Sequence, residues 1–270
     1  MPQRLLVVAT MFTVLLAGGC GPAATLAPPT ATPAPPTATP VPSTPAPPTA
    51  VPTPEPTATP NVPFEEVTFT TEDEINIAGT LFGEGEIVVL LLHMGKAGAT
   101  QKSWHPFARL VAERGFSVLA IDFRGCGKSE GTRTLRLLIN DARAAVEFLR
   151  QRGFDRFICM GASMGGTTCM RLALEVDLEG LGVLASTMSL GDPTQVSERD
   201  LAQLTMPKLF VVGEWDYIDV VIEMDKMYQA AGQPKEMVSY GNAAHGTDLF
   251  LSPYGDDLRQ QLLDFLEGLR

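Results

Sequence analysis

Proline is concentrated in one stretch of this 270-residue chain, with 16 of its 22 prolines between Pro22 and Pro63. Because proline has no backbone N–H and a fixed φ, such a segment cannot supply helix interiors or central strands. We therefore expect residues 21–63 to form a disordered linker with extended polyproline geometry. Residues 64–270 remain for folding, and their number suits one α/β domain.

The first 20 residues have the order of an export signal. Arg4 precedes an apolar run, residues 5–17, that is followed by small residues. The ending LAGGC (residues 16–20) resembles a bacterial lipobox, in which the cysteine becomes the lipid-modified first residue of the mature protein. The resemblance implies an exported protein, lipid-anchored through Cys20 on the outer face of a bacterial cell membrane, with the linker as a tether. The alternative is an ordinary secretory signal, which would leave the protein secreted.

The charge balance argues against nucleic-acid binding. The chain has a formal net charge of −11, and within the first 63 residues only Arg4 and Glu55 are charged. The negative charge therefore belongs to the domain, where it repels phosphate backbones, and no run of Lys and Arg is present to release counterions. We expect a small-molecule substrate as partner and no nucleic acid, and the oligomeric state stays open.

From Phe64 onward, apolar strand-like segments alternate with amphipathic helical ones. The order predicts a mostly parallel eight-stranded sheet with helices on both faces, beginning with an antiparallel hairpin. Ligands of such sheets bind at the carboxyl ends of the strands. The predicted strands are residues 67–70, 75–82, 87–92, 117–123, 157–160, 182–185, 209–212 and 236–240. The predicted helices are residues 104–114, 135–152, 164–175, 220–231 and 256–269, with one short helix at 197–204.

The sequence GASMGG (residues 161–166) directly follows a predicted strand and opens a predicted helix. A sharp turn from strand to helix forces its central residue into a strained backbone conformation and leaves room only for small neighbours. That geometry would lift the hydroxyl of Ser163 out of the sheet as a candidate nucleophile. The alternative is an ordinary glycine-rich turn.

A serine nucleophile needs a base, and the chain has three histidines: His93, His105 and His245. His245 lies in a loop of small residues after the last predicted strand, where core packing explains it poorly. We therefore choose His245 as the base, and the alternative is that it is a structural loop histidine. His93, at the end of the third strand, we interpret as structural.

The base in turn needs an orienting acid just after a strand on the same side. The segment VVGEWDYID (residues 211–219) offers Glu214, Asp216 and Asp219. We choose Asp216, with Glu214 as an acidic neighbour and Asp219 as the N-cap of the next helix. The alternative for Asp216 is a solvated turn aspartate.

Together these motifs resemble the α/β-hydrolase superfamily, including its esterases and dienelactone-hydrolase-like members, over essentially all of residues 64–270. The glycine-flanked turn around Ser163 corresponds to the family's nucleophile elbow. This elbow, the acid and the histidine follow one another along the chain in the family's order. The loop DFRGCGKSEG (residues 122–131) is similar to the family's turn after the fourth strand, and HGTD (245–248) to the region of its histidine. The resemblance implies Ser163 as nucleophile, His245 as general base and Asp216 as the residue that holds its imidazole.

The sequence departs from that family at HMGK (residues 93–96), where a methionine stands at a position that relatives usually fill with glycine. This loop supplies one backbone donor of the family's oxyanion hole. We assign that donor to Gly95, with Met94 as its neighbour, and the second donor to the N–H of Met164 at a helix N-terminus.

The three cysteines of the domain are Cys126, Cys159 and Cys169. We expect buried free thiols, because the strand and helix that carry Cys159 and Cys169 should pack with backbones about 8–10 Å apart, beyond disulfide reach. The cysteines lack metal-ligand spacing, and no dinucleotide or P-loop fingerprint is present, so we expect neither a metal nor a cofactor.

Only about 20 residues separate the sixth and seventh predicted strands, which leaves room for a minimal cap over the site. The expected function is a serine hydrolase, first of all a carboxylesterase, that cleaves small or accessible esters through an acyl-enzyme. A thioesterase or small-peptide hydrolase with the same triad, and a non-catalytic surface binding module, remain as alternatives. The side chains expected to line its pocket are Met94, Met164, Met188, Trp215 and Tyr217.

Overall fold

The computed structural model describes residues 62–191 and 195–270. The predicted export signal, Cys20 and all but the last two residues of the predicted linker lie outside the described residues. Val62 is buried, and the carbonyl of Pro63 accepts a hydrogen bond from the N–H of Gly83. The end of the predicted linker therefore contacts the domain.

Eight strands form one sheet in the order β1-β2-β4-β3-β5-β6-β7-β8. β1 pairs antiparallel with β2 and β2 antiparallel with β4, whereas all other neighbours are parallel. The predicted hairpin and the mostly parallel sheet are thus confirmed. The strands are β1 Phe64–Thr70, β2 Asn76–Phe82, β3 Ile87–Leu92, β4 Ser117–Ile121, β5 Arg156–Ala162, β6 Gly180–Leu184, β7 Lys208–Gly213 and β8 Lys235–Tyr240.

Six α-helices are present in the described residues, and they cover both faces of the sheet. α1 and α6 pack on one face, and α2 to α5 on the other. The predicted short helix is confirmed as α4, which Ser197 caps. None of the helices in the described ranges is long and apolar enough to cross a membrane. The helices are α1 His105–Glu113, α2 Leu138–Gln151, α3 Met164–Leu172, α4 Glu198–Gln203, α5 Ile218–Ala230 and α6 Gly255–Glu267.

The central strand β3 shows why the sheet needs helices on both sides. Its residues alternate between two apolar cores, with Val88, Leu90 and Leu92 in one and Ile87, Val89 and Leu91 in the other. A continuous apolar run cannot leave either face in water, so both faces are buried by helices. The carboxyl ends of the parallel strands stay open at one edge of this sandwich.

The expectation of free thiols at Cys159 and Cys169 is wrong, because these residues form a disulfide with their Cα atoms 5.6 Å apart. Glycines allow β5 and α3 to approach more closely than we expected. A Cβ on Gly161 would lie 2.2 Å from the carbonyl carbon of Gly165, and one on Gly165 would lie 2.2 Å from the carbonyl oxygen of Leu92. With no side chains at these contacts, backbone packs on backbone and brings the two cysteines within disulfide reach.

Candidate active site

Ser163 lies at the turn from β5 to α3, with φ of 51° and ψ of −117°. This is a strained conformation for a residue with a side chain, and the surrounding structure holds it in place. The N–H of Ser163 donates to the carbonyl of Leu184, 2.8 Å away, and the hydroxyl of Ser186 donates to the carbonyl of Ser163 at 2.8 Å. One partner is the last residue of β6 and the other lies two residues beyond it, so the end of the neighbouring strand fixes the turn.

His245 and Asp216 approach each other from two loops at the same edge of the sheet. The Nδ1 atom of His245 lies 2.9 Å from Oδ2 of Asp216 and 3.0 Å from Oδ1. The Asp216 side chain is 1% exposed and that of His245 22% exposed. A carboxylate oxygen accepts hydrogen bonds, so this contact is made by the tautomer with its proton on Nδ1, in which Nε2 is an acceptor. The N–H of Tyr217 donates to Oδ1 of Asp216 at 2.7 Å and fixes the carboxylate.

Ser163, Asp216 and His245 line a single cleft of about 700 Å³ at the carboxyl ends of the strands. No hydrogen bond joins the hydroxyl of Ser163 to the imidazole of His245, and such bonds often form only when substrate binds. The arrangement places a hydroxyl, a basic nitrogen and a buried carboxylate around one open space. The other residues of its lining are Met94, Gly95, Lys96, Trp215, Tyr217, Ala243, Ala244 and Asp248.

The residues proposed for the oxyanion hole lie beside the elbow. A Cβ on Gly95 would lie 3.7 Å from Cβ of Met164, so the loop after β3 touches the N-terminus of α3. A helix N-terminus has N–H groups without intrahelical partners and the positive end of the helix dipole, and Ser163, the N-cap of α3, lines the cleft. Nη1 of Arg133 donates to the carbonyl of Gly95 at 2.9 Å and holds the loop from the outside.

The methionine at the unusual position of this loop is part of the core. Met94 is 3% exposed, and a Cβ on Gly246 would lie 3.0 Å from its sulfur. Its side chain thus packs beneath the turn that follows His245.

His93 is buried and bridges two loops. Its Nδ1 donates to the carbonyl of Met94 at 2.8 Å, and its Nε2 accepts from the N–H of Phe123 at 3.1 Å. Accepting at Nε2 requires a neutral ring, and burial lowers the pKa of His93, which favours that form. These contacts agree with our interpretation of His93 as structural.

The structure brings only some of the expected lining residues together. Met94, Trp215 and Tyr217 line the cleft, whereas Met164 and Met188 do not. Trp215 is 69% exposed and Tyr217 71% exposed. The ring of Tyr217 meets the ring of His245 edge to face, with centroids 5.4 Å apart.

The predicted N-cap of α5 is wrong. Tyr217 occupies the cap position, and Asp219 lies in the first turn of the helix, where its charge still faces the positive end of the dipole. The helix begins at Ile218, two residues earlier than predicted, and no side chain caps it. Glu214 points elsewhere and accepts a hydrogen bond from the hydroxyl of Ser239.

Sequence reasoning missed one ion pair at the rim of the cleft. Nζ of Lys96 lies 2.7 Å from Oδ2 of Asp248. One residue follows β3 and the other follows β8, so no local pattern relates them. Their meeting depends on both loops lying at the same edge of the sheet.

The comparisons with known proteins agree with this architecture. Residues 88–179 match a family model described as the alpha/beta hydrolase fold. The esterase Pf2001 of Pyrococcus furiosus superposes with a TM-score of 0.65 at 20% identity, over 76% of this chain and 92% of that one. This chain has the α/β-hydrolase fold. An esterase of Thermogutta terrifontis shares this α/β-hydrolase fold with a TM-score of 0.63 at 19% identity, over 76% of this chain and 99% of that one.

Among relatives by sequence, the protein YfhR of Escherichia coli strain K12 is 27% identical over 229 residues, covering 75% of this chain and 80% of that protein. A 2-hydroxy-6-oxononadienedioate/2-hydroxy-6-oxononatrienedioate hydrolase of a Pseudomonas species is 34% identical over 132 residues, 46% of this chain and 45% of that enzyme. The match to the family model and the match to this hydrolase each cover less than half of the chain, and the longer match is to YfhR.

Proposed function

We propose that this protein is a serine hydrolase that cleaves small or accessible carboxylic esters through Ser163, His245 and Asp216. The observation that carries the proposal is the buried carboxylate of Asp216 bound to Nδ1 of His245, in the same cleft as the strained Ser163. An aspartate that fixes an imidazole in this tautomer leaves Nε2 free to take a proton from a serine.

The proposed reaction has two halves. Nε2 of His245 takes the hydroxyl proton as Oγ of Ser163 adds to the ester carbonyl, and the N–H groups of Met164 and Gly95 bind the oxyanion. His245 then gives this proton to the leaving alcohol, and the C–O bond breaks to leave an acyl-enzyme. Water adds to that acyl group by the same route and releases the acid and free Ser163.

The shape of the site supports small or accessible substrates. In the described part of the segment between β6 and β7 the one helix is the short α4, and the cleft holds about 700 Å³. Trp215 and Tyr217 expose apolar rings at its rim, where they would contact an acyl or alcohol group. An open cleft of this kind favours short acyl groups over long chains that need a deep tunnel.

Labelling with a fluorophosphonate probe tests the nucleophile, because such probes react only with an activated serine. The native protein should be labelled, the Ser163→Ala variant should not, and the matched control Ser239→Ala should be labelled like the native protein. Absence of Ser163-dependent labelling would refute the proposed serine hydrolase activity and favour the non-catalytic binding module. For the labelled enzyme, 4-nitrophenyl esters of increasing chain length, matched thioesters and aminoacyl amides then separate esterase, thioesterase and peptidase.

We also propose that the enzyme is exported and lipid-anchored through Cys20. The support is the lipobox-like ending at residues 16–20 and the proline-rich stretch before the domain. The disulfide between Cys159 and Cys169 suits an oxidising compartment. Mass spectrometry of the mature N-terminus should find an acylated cysteine at position 20, and an unmodified terminus elsewhere would support the secreted alternative.

A further inference from the structure

A second cavity, which we call the side pocket, adjoins the catalytic cleft. It holds about 360 Å³ and shares Met94, Lys96 and Asp248 with the cleft. Its two walls are the region from the loop after β3 to the start of α1, and the segment Gly246–Leu251 that follows His245. The ion pair between Lys96 and Asp248 lies where the two spaces meet.

The side pocket combines an apolar floor with basic side chains. Met94, Phe107 and Phe250 are buried and supply the apolar surface. Three cations, Lys96, Lys102 and Arg259, face one acid, Asp248. The lining thus has a surplus of two positive charges, whereas the whole chain has a formal net charge of −11.

The partners of these cations show how much positive charge is available. Lys96 pairs with Asp248 at 2.7 Å, and the guanidinium of Arg259 binds Asp256 at 2.8 Å and the carbonyl of Phe250 at 3.0 Å. The ammonium of Lys102 forms no ion pair or hydrogen bond with any residue that the structure describes. Lys102 is exposed and its charge also acts on the carboxylate of Glu66, so its ammonium attracts an anion in the side pocket through a field that salt screens.

A buried hydroxyl in the same lining also lacks a partner. Thr247 lines the side pocket and is 4% exposed, and its Oγ1 makes no hydrogen bond. Buried polar atoms are normally satisfied, and an exception is often completed by a ligand or water. Thr247 is two residues after His245 in the chain, so a group bound there lies close to the proposed reaction centre.

We infer that the side pocket binds the carboxylate of a substrate whose ester group lies at Ser163. The substrate class is thus an ester that carries a free carboxylate at the end of a short apolar chain, such as a half-ester of a dicarboxylic acid. The chain lies on Met94, Phe107 and Phe250, and the carboxylate lies between Lys96 and Lys102. This inference rests on the proposed serine hydrolase and adds the substrate class to it.

The test compares two esters of the same shape that differ in charge. Monoethyl adipate ends in a carboxylate, and ethyl 6-methylheptanoate carries an isopropyl group in its place. Ethanol release gives kcat/KM for each, and their ratio is the charge preference. We expect the native enzyme to prefer the charged ester by about tenfold, equivalent to about 1.4 kcal/mol, and we expect 0.5 M NaCl to reduce the preference.

Variants of Lys102 locate the origin of that preference. Lys102→Met should bring the ratio near one, and Lys102→Glu should reverse it, whereas Lys226→Met on α5, a lysine paired with Glu223, should keep the native ratio. A native ratio near one, or a ratio that Lys102→Glu leaves unchanged, overturns the side pocket as a carboxylate site while the esterase stands. Loss of turnover of both esters, together with absent fluorophosphonate labelling of Ser163, overturns the proposed function and this inference with it.

Discussion

Nδ1 of His245 lies 2.9 Å from Oδ2 of Asp216, although 29 residues separate them in the chain. Asp216→Asn replaces an acceptor by an amide that can hold the wrong tautomer, so Nε2 would no longer be free to accept a proton. We expect kcat for a short 4-nitrophenyl ester to fall by about 10⁴-fold, with little change in thermal stability.

Glu214→Gln is the matched control, because this carboxylate lies two residues away and binds the hydroxyl of Ser239 instead of the imidazole. Its kcat should stay within about threefold of the native value. A large loss in Glu214→Gln together with an active Asp216→Asn would assign the orienting acid to Glu214.

The disulfide between Cys159 and Cys169 encloses the turn that carries Ser163. The double variant Cys159→Ala/Cys169→Ala should lower the free energy of unfolding by about 2–3 kcal/mol, since the reduced chain regains conformational freedom when it unfolds. Urea unfolding measures this change, and Cys126→Ala, which removes an unpaired half-buried thiol, should change it less. Intact mass spectrometry provides an independent check. If denaturing reduction leaves the mass of the native domain unchanged, the disulfide is absent.

Arg124 forms a buried ion pair with Asp141, with Nε and Oδ1 2.8 Å apart, and also binds Asp73 at 2.6 Å. Arg124→Met leaves a buried carboxylate without its partner, and burial already raises the pKa of Asp141 to about 6. We expect a loss of about 3–5 kcal/mol in the free energy of unfolding. If Arg124→Met does not fold, the double variant Arg124→Met/Asp141→Leu should recover folding, because it removes the unpaired charge.

The exposed pair of Lys128 and Glu66 is the control for this experiment, with Nζ and Oε1 2.6 Å apart. Water screens both charges, so Lys128→Met should change the free energy of unfolding by no more than about 0.5 kcal/mol. Equal losses in the two variants would contradict the importance of burial.

Lys208 is buried at the start of β7, and its Nζ donates to the carbonyls of Leu204 and Met206. Burial, with a smaller effect from the Lys235 ammonium, lowers the pKa of Lys208 from 10.5 to about 8. Between these values the unfolded chain binds more protons than the folded one, so stability increases with pH across this window. The neutral amine still donates to both carbonyls.

We therefore expect the free energy of unfolding of the native protein to gain about 1–3 kcal/mol between pH 8 and 10.5 relative to Lys208→Met. Urea titrations at several pH values measure this difference. If the free energy of unfolding depends on pH in the same way for the two proteins over this range, Lys208 remains charged in the folded state.

Much of the fold follows from local pattern. The run Ile87–Leu92 predicted a strand buried on both faces, and β3 is one, because six consecutive apolar residues leave no side for water. The predicted boundaries of the helices and strands agree with the observed ones within a few residues, because hydrophobic periodicity and capping residues act over short stretches of chain. The start of α5 was misplaced by two residues, because the prediction relied on Asp219 as a side-chain cap and the helix begins without one.

For the site, residue type and position after a predicted strand led us to choose Asp216 and His245 as candidates, and the structure places these two side chains in contact. The structure also distinguished the expected lining residues, with Trp215 in the cleft and Met188 outside it. Composition and spacing do not encode that difference, because either side chain packs equally well against a core or a cavity.

By itself the sequence determined the alternation of strands and helices, the glycine-flanked turn at Ser163 and the candidates for base and acid, since each depends on residues close together in the chain. Only the tertiary structure decided that Cys159 meets Cys169 and that Lys96 meets Asp248 beside the side pocket. Those contacts depend on the distance between packed elements. The absence of side chains at Gly161 and Gly165 sets the distance between the elements that carry Cys159 and Cys169. The shared edge of the parallel sheet brings the loops of Lys96 and Asp248 together.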